Sequence, residues 1–253
     1  MKRFIEKFPH GTNAVYKFGE YVIKLYTDND METEVYGMKR AAALSVPIPK
    51  LIASGVDRFP YMITEFLNAT AMGDIEHKFS YEDKVTFGQK LRIITDKLNT
   101  PCDDFNPVDV IKNAKASVGW RDFPESFQKE RLEYLDKLVV ENKVYCHGDL
   151  NPDNIFVSEN WDLYLIDFAD ATYAPAGYEQ ALVASQVFCF EKPYMLGYFG
   201  DYNAGDIADL CAAWLPVHDT GYNTLRANIG NEITSFKVMR ERLYEYIYRE
   251  YQQ

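Results

Sequence analysis

Long apolar runs are missing from this sequence. Nothing in it approaches the ~18 consecutive apolar residues of a membrane-crossing helix, so no transmembrane segment and no membrane partner are expected. Cysteine is scarce: Cys102, Cys146, Cys189 and Cys211 are scattered without C-x-x-C spacing, which argues against a disulfide framework and a thiolate metal site. Neither G-x-x-x-x-G-K-[ST] nor G-x-G-x-x-G occurs, so P-loop and dinucleotide enzymes are excluded. Positive charge is in deficit. Lys and Arg number 27 against 38 Asp and Glu, the net charge is −11, and the basic residues do not cluster beyond pairs such as Lys39-Arg40. Such a surface repels a phosphate backbone, so nucleic acid is not an expected partner. No apolar stretch follows the early basic residues, so no secretory signal is expected and the default location is the cytoplasm.

What is present is globular material with an aromatic surplus. The 253 residues are 47% hydrophobic and 15% aromatic, enough to bury a core as one large domain or two small ones. Residues 15–25 read as two short strands around Gly19-Glu20, with Val22, Lys24 and Tyr26 sharing a face. A helix is expected over 31–44, with Val35, Met38 and Ala42 on its apolar side and Pro47 and Pro49 beyond its end. Strands are expected over 50–54 and 61–66. The remainder is mainly helical. Phe87, Leu91, Ile94 and Leu98 form one stripe, Leu132, Leu135 and Val139 a second, and Phe236, Met239, Leu243 and Ile247 a third. Short strand-like pieces at 144–146, 155–157 and 164–166 interrupt this pattern. A boundary between a small β-rich lobe and a larger helical one is expected near 67–73.

The chemistry concentrates in residues 144–170, VYCHGDLNPDNIFVSENWDLYLIDFAD. His147, Asp149 and Asn154 form H-x-D-x-x-x-x-N, and Ile166-Asp167-Phe168 follows. Asn, Asp, Gly and Pro are turn residues, and HGDLNPDN taken alone reads equally as a polar connection between strands. With a second carboxylate ending the next strand, the pattern brings Asp149, Asn154 and Asp167 to one end of a hairpin. That is an oxygen-donor set suited to Mg²⁺.

These residues resemble the catalytic loop and metal-binding strand of the aminoglycoside phosphotransferase/choline kinase family, within the protein kinase-like superfamily. H-G-D stands where protein kinases have H-R-D. The chain runs from I-D-F to Pro175 and Tyr178-Glu179 with little room for an activation loop. Upstream, Gly11, Thr12 and Asn13, in GTNAVY, are similar to the family's phosphate-covering hairpin, and Lys24 in YVIKLY to its phosphate-binding lysine. The lysine's helix partner would be Glu34, with Glu32 as the rival. Tyr61 to Leu67 resembles the hinge strand. Backbone groups at Glu65, Phe66 and Leu67 would meet the adenine edge, above an apolar floor of Phe156 and Ile166. The resemblance spans residues 11–221 and departs from the family at two places: Asn99 stands where the family often has His, and Glu179 where it more often has Asp.

The resemblance implies an α+β, bilobal protein kinase-like fold. A small N-terminal antiparallel-sheet lobe with one helix, residues 1–67, would bind nucleotide. A larger, mainly helical lobe, 68–253, would carry catalysis and substrate. It also implies an enzyme, a small-molecule kinase moving the γ-phosphoryl group of ATP or GTP to a hydroxyl. Asp149 would be the catalytic carboxylate, Asn154 and Asp167 the Mg²⁺ ligands, and His147 a brace for the loop. Asp170, Tyr178 and Glu179 are candidates to line the acceptor site, and the acidic balance suits a cationic acceptor such as an aminoglycoside or amino alcohol. Two other readings share the residues. A protein kinase would need an activation loop, and a non-catalytic nucleotide-binding scaffold would usually have lost one of Lys24, Asp149, Asn154 or Asp167. Oligomeric state is not legible.

Overall fold

The structure is a computed structural model that describes residues 13–27, 30–101 and 108–252, together with the backbone of residues 5–8. Packing divides the chain into two units: Met1–His77 with Pro152–Ala171, and Lys78–Asn151 with Thr172–Gln253. The architecture is the expected α+β one, with antiparallel strands concentrated in the first unit and long helices in the second.

The first unit holds a five-stranded antiparallel sheet. Its strands are β1 (Ile5–Phe8), β2 (Ala14–Phe18), β3 (Tyr21–Leu25), β4 (Leu51–Val56) and β5 (Pro60–Glu65), in the order β1-β2-β3-β5-β4. β2 and β3 pair from Ala14↔Leu25 to Phe18↔Tyr21, which leaves Gly19 and Glu20 as the turn. Gly19 takes φ 61°, the left-handed first position that a tight two-residue hairpin favours. β1 was not expected, because a four-residue IEKF segment carries no distinctive alternation.

Helix α1 (Asp30–Ala43) follows β3 and buries Met31, Glu34, Val35, Gly37, Met38 and Ala41. Ala42 is exposed, which corrects the expected apolar stripe by one residue. The buried face runs through Glu34 and Gly37, which no count of hydrophobic positions includes. Gly37 is there for proximity: a Cβ on it would lie 2.8 Å from Phe168 Cβ and 2.9 Å from Phe168 O. The lack of a side chain thus lets α1 touch the segment that carries Asp167.

A second, three-stranded sheet completes this unit. Its strands are β6 (Ala69–Ala71), Ile155–Ser158 and Leu163–Leu165, all antiparallel. The lobe division expected at residue 67 follows the hinge, whereas the packing division follows this sheet. Pairing of Ile155–Ser158 with β6 is what groups the late hairpin with the N-terminal residues.

The second unit is built on the helix Tyr81–Leu98, capped by Ser80 and Asp83 in a reciprocal capping box. Its expected stripe of Phe87, Leu91, Ile94 and Leu98 is buried, as are Met239, Leu243 and Ile247 of Phe236–Gln252. The middle stripe is different. Leu135 is buried as expected, but Leu132 is 45% and Val139 72% exposed, and Glu125–Lys137 buries Phe127 and Arg131 beside Leu135. Arg131 lies on the core face because its guanidinium donates to Pro216 O at 2.8 Å and Ala114 O at 2.7 Å, with Trp120 beneath it at 4.1 Å. Val144–Cys146 pairs antiparallel with Thr172–Ala174 and delivers the chain to His147.

Candidate active site

The first unit gathers one cluster of expected residues. Lys24, on β3, places Nζ 2.7 Å from Glu34 Oε2 and 3.0 Å from Asp167 Oδ1. Glu34 on α1 is 2% exposed, while Glu32 points to solvent, so Glu34 is the partner of the lysine. Burial works against the Lys24 charge, but the two carboxylates outweigh it and hold its pKa above the ordinary value. Burial likewise pushes the Glu34 carboxyl up, against the pull of Lys24. Tyr26, which had no expected role, donates its hydroxyl to Glu34 Oε2 at 2.6 Å. The available signal was its place on the Lys24 face.

Asn154 and Asp167 stand at one end of the hairpin formed by Ile155–Ser158 and Leu163–Leu165, which the Ile166 N–H closes by donating to Asn154 O at 3.1 Å. Asn154 is buried and the Asp167 side chain is 42% exposed. Asp167 adopts φ 60°, a left-handed conformation uncommon for a non-glycine residue and frequent at functional sites. A carboxylate and an amide oxygen are donor types that Mg²⁺ accepts. Among the described residues no group of three or more His, Cys, Asp or Glu could hold a metal by itself.

The other residues expected to serve the nucleotide belong to this unit too. Gly11 and Thr12 lie outside the described residues, and Asn13 precedes β2 with its Oδ1 buried and unbonded among the described residues. At the hinge, the Glu65 N–H donates to Lys50 O at 3.0 Å and the Phe66 N–H to Glu20 O at 2.8 Å. Of the backbone groups expected to meet the adenine edge at Glu65, Phe66 and Leu67, these two N–H groups are engaged within the unit. The Phe66 ring carries the Lys17 ammonium 3.4 Å from its centre. Phe156 and Ile166 are half-buried.

The second unit holds the loop after Val144–Cys146. His147 is buried and its Nδ1 accepts the Asp149 N–H at 3.3 Å, so the ring braces the loop from within. Gly148 takes φ 88°, which is why glycine suits the middle of H-G-D. Asp149 is half-buried, and Asn151, another residue without an expected role, donates from Nδ2 to Asp149 Oδ2 at 3.1 Å. Asn154 and Asp167 occupy the expected hairpin, but Asp149 belongs to this other unit and not to that hairpin.

Two candidates for lining the acceptor site are corrected. Glu179 is 0% exposed, and its carboxylate accepts the backbone N–H groups of His147 and Gly148 and the Asn99 amide at 3.3 Å. Burial without a counter-charge pushes its pKa up to about 7, against the opposing effect of those hydrogen bonds. Tyr178 is buried against the His218 ring with centroids 3.6 Å apart, and His218 Nε2 bonds Tyr178 O at 2.8 Å. Their side chains are committed to the interior. Asp170 is exposed. The two departures from the family pattern meet, since Asn99 reaches the longer Glu179 arm and also donates to Tyr145 O at 3.1 Å.

A lysine–glutamate pair beside a hairpin carboxylate, with an H-G-D loop elsewhere in the chain, defines a kinase-like phosphotransferase. The model of the phosphotransferase enzyme family matches residues 5–225, and the chain belongs to that family. No curated protein matches the sequence significantly. Among solved structures, a choline/ethanolamine kinase family protein from Mesorhizobium loti is 14% identical, with a TM-score of 0.63 and coverage of 100% of this chain and 89% of its own. Choline kinase LicA from Streptococcus pneumoniae is 14% identical, with a TM-score of 0.61 and coverage of 97% and 94%. A spectinomycin phosphotransferase solved with ADP and spectinomycin is 15% identical, with a TM-score of 0.57 and coverage of 98% and 93%. At these identities the likeness is one of fold.

Proposed function

We propose that this phosphotransferase is a small-molecule kinase that moves the γ-phosphoryl group of ATP to a hydroxyl of a cationic acceptor, an amino alcohol or an aminoglycoside. The observation that carries the reading is Lys24, buried yet held charged between Glu34 and Asp167. An ammonium kept ionised beside a magnesium-type donor set is what a triphosphate requires. Lys24 would neutralise phosphate charge, Asn154 and Asp167 would hold Mg²⁺, and the Leu67 N–H would meet the adenine edge. When bound, Mg²⁺ supplies further neutralisation of the phosphates. Asp149 would orient the acceptor hydroxyl and take its proton, with Asn151 and His147 fixing its loop. Residues 11–14 would cover the phosphates. Positioning and electrostatics supply most of the rate in this chemistry.

Adenine nucleotides occupy two of the similar structures, the spectinomycin enzyme with ADP and LicA with AMP, which supports ATP over GTP. Choline, ethanolamine and spectinomycin, named for these relatives, all carry a cationic ammonium or amine nitrogen, and the net charge of −11 favours attracting such a cation. The test is ADP release in the presence of amino alcohols, aminoglycosides, neutral sugars, nucleosides and a protein acceptor. Stimulation by an amine-bearing alcohol is expected. Stimulation by neutral sugars or protein alone would overturn the acceptor class.

A further inference from the structure

The Lys24–Glu34 pair has a third member with no part in the scheme above. Tyr26 follows Lys24 by two residues, so its side chain leaves the same face of the chain. It is fully buried. Its hydroxyl donates at 2.6 Å to Glu34 Oε2, the same oxygen that accepts Lys24 Nζ at 2.7 Å. Its ring centre lies 5.3 Å from Lys24 Nζ, and its own backbone N–H is anchored on Pro60 O at 2.9 Å. Met62 Sδ, 3.8 Å from the hydroxyl, is a weak acceptor and does not compete with a carboxylate for the single proton. Burial first, and then the Glu34 charge, raise the phenol pKa, so it stays a neutral donor.

Glu34 sits on a helix and Lys24 on a strand, each at the end of a flexible side chain. An ammonium alone does not fix a carboxylate's rotation, because its three donors swivel freely. A phenol on a rigid, buried ring offers one donor in one direction. Lys24 is also drawn to Asp167 at 3.0 Å, a competing pull that the second donor on Glu34 counterbalances by keeping the acceptor in place.

We propose that Tyr26 is a positioning residue for the phosphate-binding lysine: it locks the Glu34 carboxylate in the orientation from which Lys24 meets the phosphates of ATP, and it acts only through that lysine. The inference rests on the phosphate-binding reading of Lys24. It adds to that reading a residue that never touches the nucleotide.

Tyr26→Phe removes the hydroxyl and keeps the ring. Calorimetric titration with Mg-ATP should give a Kd raised about tenfold, the scale of a hydrogen bond lost to a charged group. KM for ATP should rise in parallel while KM for the acceptor stays unchanged. In a Lys24→Met background, Tyr26→Phe should add nothing to the loss already made. Glu34→Asp, which withdraws the shared oxygen from both the phenol and Lys24, should weaken ATP binding at least as much, and Tyr26→Phe should add little to it. A Tyr26→Phe Kd within twofold of wild type, or a full additional loss on top of Lys24→Met, overturns the inference. A wild-type protein that does not bind Mg-ATP overturns the phosphotransferase reading and this inference together.

Discussion

Glu34 in the first unit and Glu179 in the second are both buried carboxylates, and the two units satisfy them by opposite means. Glu34 is held by side chains, an ammonium and a phenol. Glu179 is held by the main-chain N–H groups of His147 and Gly148 and by one amide, with no counter-charge. A charge matched by another charge can be redistributed when a ligand brings a third, and Lys24 already divides itself between Glu34 and Asp167. A charge matched by main-chain dipoles fixes the shape of a loop instead. Under the proposed function, Glu34 would act on ligand binding and Glu179 on the loop that carries Asp149.

That contrast is broken most forcefully by deletion. Glu179→Ala strands two main-chain donors in the interior and should cost about 3 kcal/mol, roughly 8 °C in thermal midpoint. Lys24→Met should lose on the order of a hundredfold in ATP affinity while lowering the midpoint much less. Equal stability losses with ATP affinity retained in Lys24→Met would erase the distinction.

Titration sharpens it. The Glu179 pKa near 7 lies above the ordinary value of 4.5, so the stability linked to its protonated form is whole below pH 4.5 and is lost as pH rises through 7. Glu179→Gln does not titrate. Relative to wild type its stability should improve between pH 5 and pH 8, by up to about 3 kcal/mol. His218, pushed down to about 4 by burial, works in the other direction, because its contribution is whole above pH 6.5 and is lost as pH falls from there through about 4. Taking the difference between variant and wild type removes His218 from the comparison. A pH-independent difference would mean that Glu179 is ionised throughout. The smallest effect belongs to the loop itself. Gly148→Ala at φ 88° should cost about 1 kcal/mol, measured by denaturant unfolding, and should slow transfer without changing ATP affinity.

Much of the first cluster was legible because it rests on local pattern. The two-residue turn at Gly19-Glu20, the helix after β3 and the alternation around Lys24 all follow from spacing, whereas the pairing of Lys24 with Glu34 comes from the family resemblance, which leaves Glu32 as a rival. H-x-D-x-x-x-x-N and I-D-F are likewise contiguous. The remainder depends on burial, which a single sequence does not display. Glu179 reads as a surface acid until the folded chain encloses it, and Arg131 as a solvent-facing break in a stripe until two carbonyls and Trp120 enclose it. The pairing of β6 with Ile155–Ser158 joins an Ala-Thr-Ala segment to a distant hairpin with no side-chain pattern to announce it. That pairing groups Asn154 and Asp167 with Lys24 and Glu34 in one packed unit, with Asp149 in the other.

The central claim is that Asp149 serves the acceptor hydroxyl while a separate set of residues serves the nucleotide. It is tested most directly in Asp149→Asn, by measuring single-turnover phosphoryl transfer and the Mg-ATP dissociation constant on the same preparation. Transfer should fall by roughly a thousandfold, the scale of a lost general base, with ATP affinity within about twofold of wild type. Wild-type transfer in this variant, or a loss of ATP binding equal to the loss of transfer, would contradict the account.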